Sequence, residues 1–509
     1  MVACAMKWNK HLLTWKTASA SSSIAERGVP RLLLLSALLG CAADDVGPKT
    51  DSDTDSDTDV DTDTDTSPLP TPLSQADGKL LGEHAGDVAG DKVFAAGDVN
   101  QDGLGDLIVG ARKFDATGSE SGIAYVLLGP LSGINSLSSA VARLEGESAG
   151  DFAGGSVASA GDVDNDGFDD VLVGAKLQDH GTGIRKGTAY LVHGPLEGTL
   201  DLADADARFD GENAADTAGG TVRGLGDINE DGFDDIAIAA KSSDTHGVDA
   251  GAIYLFQGPL TGTYRLGLDE TARLLGEESG DQAGGTLGAP GDVNGDGLAD
   301  LVTCGCLNDG SALDAGVVYV VHAPFSGDID LGGADARWNG ENAGDAVGFT
   351  AGIGDLTGDG LPDIGIGSPL GGDGGTFYVV EGTQTGSASL SESWLRGVGS
   401  PGDQAGGSLS RAGDVDGDGR PDLVVGAAGH DNGTGWVGVF FGPVQGVLSM
   451  DEADQRYLGE TAGDVAGLEV SGGMDLDGDN LGDLAIGAPG NDQSAPDAGA
   501  VYLVLGFDS

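Results

Sequence analysis

Asp98-Val99-Asn100-Gln101-Asp102-Gly103-Leu104-Gly105-Asp106 places oxygen-bearing side chains at the first, third, fifth and ninth positions of a short loop. Glycine follows the third of them. The pattern recurs at Asp162, Asp164, Asp166, Asp170; at Asp227, Asn229, Asp231, Asp235; and at Asp292, Asn294, Asp296, Asp300. It recurs again at Asp355, Thr357, Asp359, Asp363; at Asp414, Asp416, Asp418, Asp422; and at Asp475, Asp477, Asp479, Asp483. Successive loops begin 64, 65, 65, 63, 59 and 61 residues apart. Seven copies in register make this a repeat protein, with a candidate cation site in each unit.

Oxygen-only ligands exclude a typical zinc or copper site and favour calcium or magnesium. Three or four carboxylates on a flexible loop suit calcium, which accepts irregular coordination, so up to seven calcium ions are expected. Empty, each loop crowds like charges into one turn, and a divalent ion relieves that repulsion. Glycine at position six permits the positive φ that wraps the loop; Asn480 replaces it in the seventh copy and tolerates that region next best. An EF-hand is excluded, because its twelfth position needs a glutamate and here holds Val109 or Val173. Plain solvated turns are the alternative, and the loop with Thr357 is the weakest site.

Each loop leads into an apolar run such as Leu107-Ile108-Val109 or Leu423-Val424-Val425, the pattern of a strand buried on both faces. A second run follows (Ile123 to Leu128; Val501 to Leu505) and usually ends in Gly-Pro. A third ends in Leu-x-Gly-Glu or a variant, and a fourth, before the loop, is rich in Gly and Ala. No helical period interrupts them. Four strands per unit, seven times over, predict an all-β fold: a seven-bladed β-propeller of four-stranded blades. The small strand suits the crowded centre. The last unit stops after its third strand, so Lys79-Leu80-Leu81-Gly82-Glu83 is expected to complete the seventh blade and close the ring.

The runs Gly291 to Asp300 and Asp483 to Pro489 resemble FG-GAP repeats, those of the integrin α-subunit propeller and of many secreted bacterial proteins. The resemblance covers residues 79–509. It implies a seven-bladed propeller with calcium in loops between the first and second strands on one face, and ligand binding on the other. Most copies read Ala-Gly-Gly where Phe-Gly is typical, as at Ala153-Gly154-Gly155. That departure argues against close kinship with integrins.

The formal net charge is −59, and the loops hold 24 of the 83 acidic residues. Seven calcium ions leave the surface acidic, which argues against a nucleic-acid partner. Residues 1–40 read as a signal peptide: Lys7, Lys10, Lys16, Arg27 and Arg31 precede an apolar core from Leu32 to Leu39, too short to span a membrane. Leu38-Leu39-Gly40-Cys41 resembles a bacterial lipobox, which implies lipidation at Cys41 and a lipid-anchored place in a bacterial cell envelope, on the outer membrane or cell surface. Residues 41–78 form a linker with aspartate at every second position from Asp51 to Asp65, then Pro68, Pro70 and Pro72; it should be a disordered tether. Cys304 and Cys306 are read as two buried thiols in preference to a bonded pair.

No catalytic residues are assigned. Gly146-Glu147-Ser148-Ala149-Gly150 fits the nucleophile pattern Gly-x-Ser-x-Gly, but it lies in a repeated turn and opens no helix. The Glu and Asp of that turn (Glu83/Asp87, Glu147/Asp151, Glu341/Asp345, Glu460/Asp464) recur in six units, with Val398 breaking the sixth, and are read as stabilising the turn. His180, His246 and His430 are scattered. The chain is therefore expected to be a non-enzymatic binding or adhesion module for a protein or glycan ligand. The alternative is a propeller-based hydrolase or lectin-like protein; an aromatic content of 5% weakens it. Variable loops at 111–122, 176–187, 241–251, 307–316 and 487–499 should emerge on the face opposite the calcium loops.

Overall fold

The computed structural model describes residues 69–179 and 184–507. The signal segment, Cys41, most of the linker and His180 lie outside the described residues.

The strand that follows each nine-residue loop is buried at every position: Asp106–Ala111 in the first unit, Asp483–Ala488 in the last. The next strand is equally buried, as at Ile123–Leu127 and Ala500–Val504. Their β-branched and aromatic side chains fill the wedges between blades, which is why these runs lack alternation. One wedge joins Leu172, Leu191 and Phe209 to Ile236, Tyr254 and Phe256, with the two phenylalanine rings 4.8 Å apart. Another joins Leu107 and Tyr125 to Ala485, Val501 and Leu503, first unit against last, so the ring closes.

The small strands line the centre. Lys92–Gly97 lies against Ser156–Gly161, and the succession runs on through Thr221–Gly226, Ala283–Gly291, Phe349–Gly354 and Ser408–Gly413 to Val470–Met474, which returns to Lys92–Gly97. The N-terminal strand, Gly78–Leu81, pairs antiparallel with Ala500–Val504, setting Leu80 opposite Val501. The seven-bladed all-β ring and its closure stand as expected.

The blades are wider than four strands. Each of the seven sheets has five, the outermost supplied by a different unit. Gly198–Asp201 leaves the connection between the third and fourth strands of the second blade and runs parallel to Ala142–Glu145 of the first. Gly133–Ser136 does the same for Gly78–Leu81. Thr71–Pro72 does it for Gln455–Leu458, so the ring begins before the Lys79 boundary read from sequence. Among the described residues the other elements are several 3-10 turns and a tight turn at His430–Gly433, in which Asp431 and Asn432 take positive φ.

The reading of Cys304 and Cys306 as free thiols is corrected: they form a disulfide, with Cα atoms 5.1 Å apart. Cys304 lies near the end of the strand Asp300–Gly305 and Cys306 just past it, two residues on. Gly285, on the flanking strand Ala283–Gly291, and Gly348, just before the next blade's inner strand, leave room for both sulfurs; a Cβ at Gly348 would meet Cys306 Sγ at 2.4 Å.

Candidate metal centres and the opposing loop face

Antiparallel alternation puts every nine-residue loop on one face of the ring, and the loops between second and third strands on the other. On the first face a bulge precedes the loop. The register slips between Ala95 and Gly97, where Gly97 takes φ 88°, and re-aims Asp98. Six of the blades repeat the slip at the same place.

Position six has positive φ in every copy, from Gly103 at 85° to Gly297 at 97°, and Asn480 does so at 68°. The first aspartate then caps the turn from inside: Asp98 Oδ1 accepts from Asp102 N at 3.1 Å and Oδ2 from Gly103 N at 2.9 Å. The ninth is fully buried. Asp106 accepts from Val99 N and from Gly129 N, both at 2.9 Å, tying the loop to the end of the third strand. Asp170, Asp235, Asp300, Asp422 and Asp483 make the equivalent pairs. Burial raises these carboxyls, partly offset by the backbone donors: Asp106, Asp422 and Asp483 to about 6, Asp170 and Asp235 to about 7. A cation beside them would favour the ionised form.

Three loops bring three carboxylates within mutual ligand range: Asp162, Asp164 and Asp166; Asp414, Asp416 and Asp422; Asp475, Asp477 and Asp483. The Asp414 group fits a cation best. Asp414 Oδ2 accepts from Gly419 N, but Oδ1 is buried with no hydrogen-bond partner, although a carboxylate oxygen without one is costly. An all-oxygen set with an unmet acceptor suits a hard divalent ion. In two other loops the third-position amide turns onto the fifth ligand: Asn100 and Asn294 each donate to the carboxylate two residues on, at 3.0 Å. Loop three has Asn229 Oδ1 accepting from Asp231 N at 2.9 Å. Loop five differs most. Thr357 donates its N–H to Asp363 at 2.7 Å, and its hydroxyl lies 3.3 Å from the same carboxylate, which engages that side chain locally.

Two aspartates outside the ligand pattern staple neighbouring loops. Asp169 accepts from Asp98 N at 2.7 Å and Asp234 from Asp162 N at 2.9 Å, each reaching back to the preceding blade. Both sit at loop position eight, where the other copies carry Gly, Ala or Pro, so no periodicity marked them.

On the opposite face the repeated Gly-Glu turn divides its labour. The aspartate stays inside the turn, as read: Asp151 accepts from Ser148 N at 2.9 Å and Asp87 from His84 N at 2.7 Å. The glutamate reaches into the next blade. Glu147 accepts from Tyr190 Oη at 2.7 Å and pairs with Arg208; Glu277 accepts from Tyr319 at 3.0 Å and Arg337 at 2.7 Å. Glu83 and Glu341 hold Tyr125 with Arg143 and Tyr378 with Arg396. Glu460 takes Lys79, whose ammonium lies 4.5 Å from the Tyr502 ring centre. The sixth unit lacks this glutamate, and Gly438 stands where the tyrosine would be. There His430 bonds Asp403 at 2.9 Å and stacks on Trp436.

Ser148 follows the strand Ala142–Glu145 and leads to another strand, Ser156–Gly161, the wrong setting for a nucleophile elbow. His246 bonds the Gly276 carbonyl at 2.7 Å, on a different blade from His430.

A family model described as FG-GAP repeat matches residues 93–127, 153–191, 219–256, 405–438 and 466–504, the first, second, third, sixth and seventh blades. The chain is 36% identical over 210 residues to integrin alpha-PS5 of Drosophila melanogaster, covering 39% of this chain and 19% of that protein. It is 32% identical to integrin alpha-PS2 of the same species (31% and 13%) and 34% identical to integrin alpha-7 of Homo sapiens (30% and 13%). The matches thus span less than a fifth of these relatives' length.

Proposed function

We propose that this chain, an FG-GAP-repeat propeller of the integrin α-like kind, is a calcium-stabilised binding module that contacts a protein or glycan ligand through its variable-loop face. The observation that carries the reading is the division of the ring. One face is committed to seven near-identical acidic loops, while the other carries loops that differ from blade to blade. Repeated parts serve the scaffold; varied loops on a rigid scaffold serve recognition.

Calcium would be held chiefly by Asp414, Asp416, Asp418 and Asp422 and by the loops of Asp162 and Asp475. Its charge would offset carboxylate repulsion and fix the loop against the third strand. The remaining ligand positions, Asp98 to Asp106 and the sets beginning at Asp227, Asp292 and Asp355, would fill after rearranging an amide or hydroxyl. The recurring Glu and Asp of the Gly-Glu turn are engaged in bonds that hold the fold, Glu147 with Tyr190 and Arg208 and Asp151 with Ser148 N, which supports a structural role for them. Lipidation at Cys41 would place the ring outside the cytoplasm on a tether; a Cys41→Ser protein that remains processed and membrane-bound defeats that part.

The test of binding is capture of ligands from cell-surface extract and on a glycan array by the purified protein, with calcium and with chelator. Replacing the loop tips at 115–120 and 244–249 by glycine, with the buried Phe114 and Ser243 and the cations Arg112 and Lys241 retained, should abolish capture while the protein still melts cooperatively. Capture that survives both replacements overturns the reading.

A further inference from the structure

The central opening carries a charge at odds with the rest of the molecule. The residue just after the second strand is Arg112 in the first blade, Lys176 in the second and Lys241 in the third. The same position holds Cys306, Pro369, Ala428 and Pro489 in the other four, so the cations occupy three consecutive blades. Two more join them from the innermost strands. Lys92 opens the first blade's inner strand at the variable-loop end. Arg223 lies on the third blade's inner strand, and its guanidinium sits 4.4 Å from the centre of the Phe94 ring. Phe94 belongs to the first blade, so this contact reaches past the second blade along the central opening.

Two carboxylates answer these five cations. Asp91 pairs with Arg112 at 2.6 Å, and Glu469 with Lys92. Glu469 is also felt by Arg223, but no ion pair joins them among the described residues. Lys176 and Lys241 have no carboxylate partner among the described residues. Burial pushes both ammonium groups down, and the neighbouring cations push further: Arg112 and Lys241 act on Lys176, which Asp91 draws back in part, and Lys92 acts on Lys241. In a chain of net charge −59, a half-buried group of mutually repelling cations is a conspicuous local excess.

We infer that this half-ring at the variable-loop mouth of the central opening binds a compact dianionic oxyanion, a sulfate or phosphate group, either as the free ion or as an ester carried by the ligand. This deepens, and rests on, the reading of that face as the recognition surface. Lysine ammonium groups are compact point charges without a fixed fork, suited to a tetrahedral anion. Arg112 is already turned to Asp91 and Arg223 to Phe94, so Lys176 and Lys241 would make the direct contacts. The surrounding acidic surface would repel an extended polyanion and admit a small group entering end-on.

The test is calorimetric titration of the calcium-loaded full-length protein with sodium sulfate and with phenyl phosphate, ionic strength matched with sodium chloride. One saturable site is expected, weakened at least tenfold in Lys176→Gln/Lys241→Gln, whose melting temperature should equal or exceed the parent's because repulsion is relieved. Tighter binding of the ester than of sulfate assigns the group to a ligand; equal binding assigns it to the free ion. Equal affinity in parent and double variant overturns the site, as does binding of tetra-aspartate in preference to either oxyanion. Ligand capture insensitive to loop replacement would defeat the recognition reading alone, since the titration does not depend on it.

Discussion

Glu147→Ala should loosen the join between the first and second blades by an amount the geometry sets. The carboxylate is 14% exposed and accepts from Tyr190, whose side chain is fully buried. Removing it leaves that hydroxyl without its acceptor, at a cost of ~1–3 kcal/mol. The Arg208 pair is partly solvated and Arg208 keeps Asp210 at 2.6 Å, so its loss adds only ~1 kcal/mol. The sum is ~3 kcal/mol. At ~2.1 cal/mol/K of unfolding entropy per residue, a unit spanning Thr66–Ser509 should melt ~3 °C lower. Scanning calorimetry in calcium at pH 7 reads this directly. Glu147→Gln, which keeps an acceptor for Tyr190, should lose ~1 °C by the same arithmetic. A shift below ~1 °C for Glu147→Ala would show that the wedge side chains alone hold the blades, and that the repeated glutamate is incidental.

Chelator should lower the melting temperature of the parent, since a site at a hundredfold excess of calcium over Kd contributes ~2.7 kcal/mol; Asp414→Asn should remove more of that difference than Asp355→Asn, because Thr357 is engaged with Asp363. Gly187→Ala should cost more than ~3 kcal/mol or prevent folding, as its Cβ would meet the Ala218 carbonyl oxygen at 2.1 Å. Gly198→Ala, also at positive φ but with nothing within 4 Å, should cost only ~1–2 kcal/mol in a urea titration. Asp151 is raised to about 6, first by burial. Its folded state holds a proton more tightly than the unfolded chain, so its contribution is full below pH ~4 and is lost as pH rises through 6. Stability relative to Asp151→Asn should fall over that interval, and a flat difference refutes the assignment.

The fold was legible because its signals are local and repeated. Oxygen ligands at fixed offsets, glycine or Asn480 at position six and unbroken apolar strands each follow from short-range geometry. Closure was legible from arithmetic, since Lys79 to Glu83 filled a missing strand. The exchanged outer strand was not. Gly198–Asp201 is mostly exposed and polar, and its partner lies in another unit, so no apolar period announces it. The glutamate latch was half legible: repetition marked Glu147, but Tyr190 and Arg208 lie 43 and 61 residues away. Asp169, Asp234 and the cationic half-ring break the repeat, and a reading built on repetition passes over what occurs in only some copies. The disulfide was misjudged because the room for it comes from Gly285 and Gly348, which sequence places far from the sulfurs.

The exchanged strands also fix how the ring would bear load. A pull on the chain at residue 69 meets first the two-residue parallel strand Thr71–Pro72 and then Gly78–Leu81, held between Ala500–Val504 and Gly133–Ser136. Tension drawn along those strands would shear several hydrogen bonds together instead of unzipping them singly. Such force would pass into the sixth, seventh and first blades at once, and no single wedge would carry it alone.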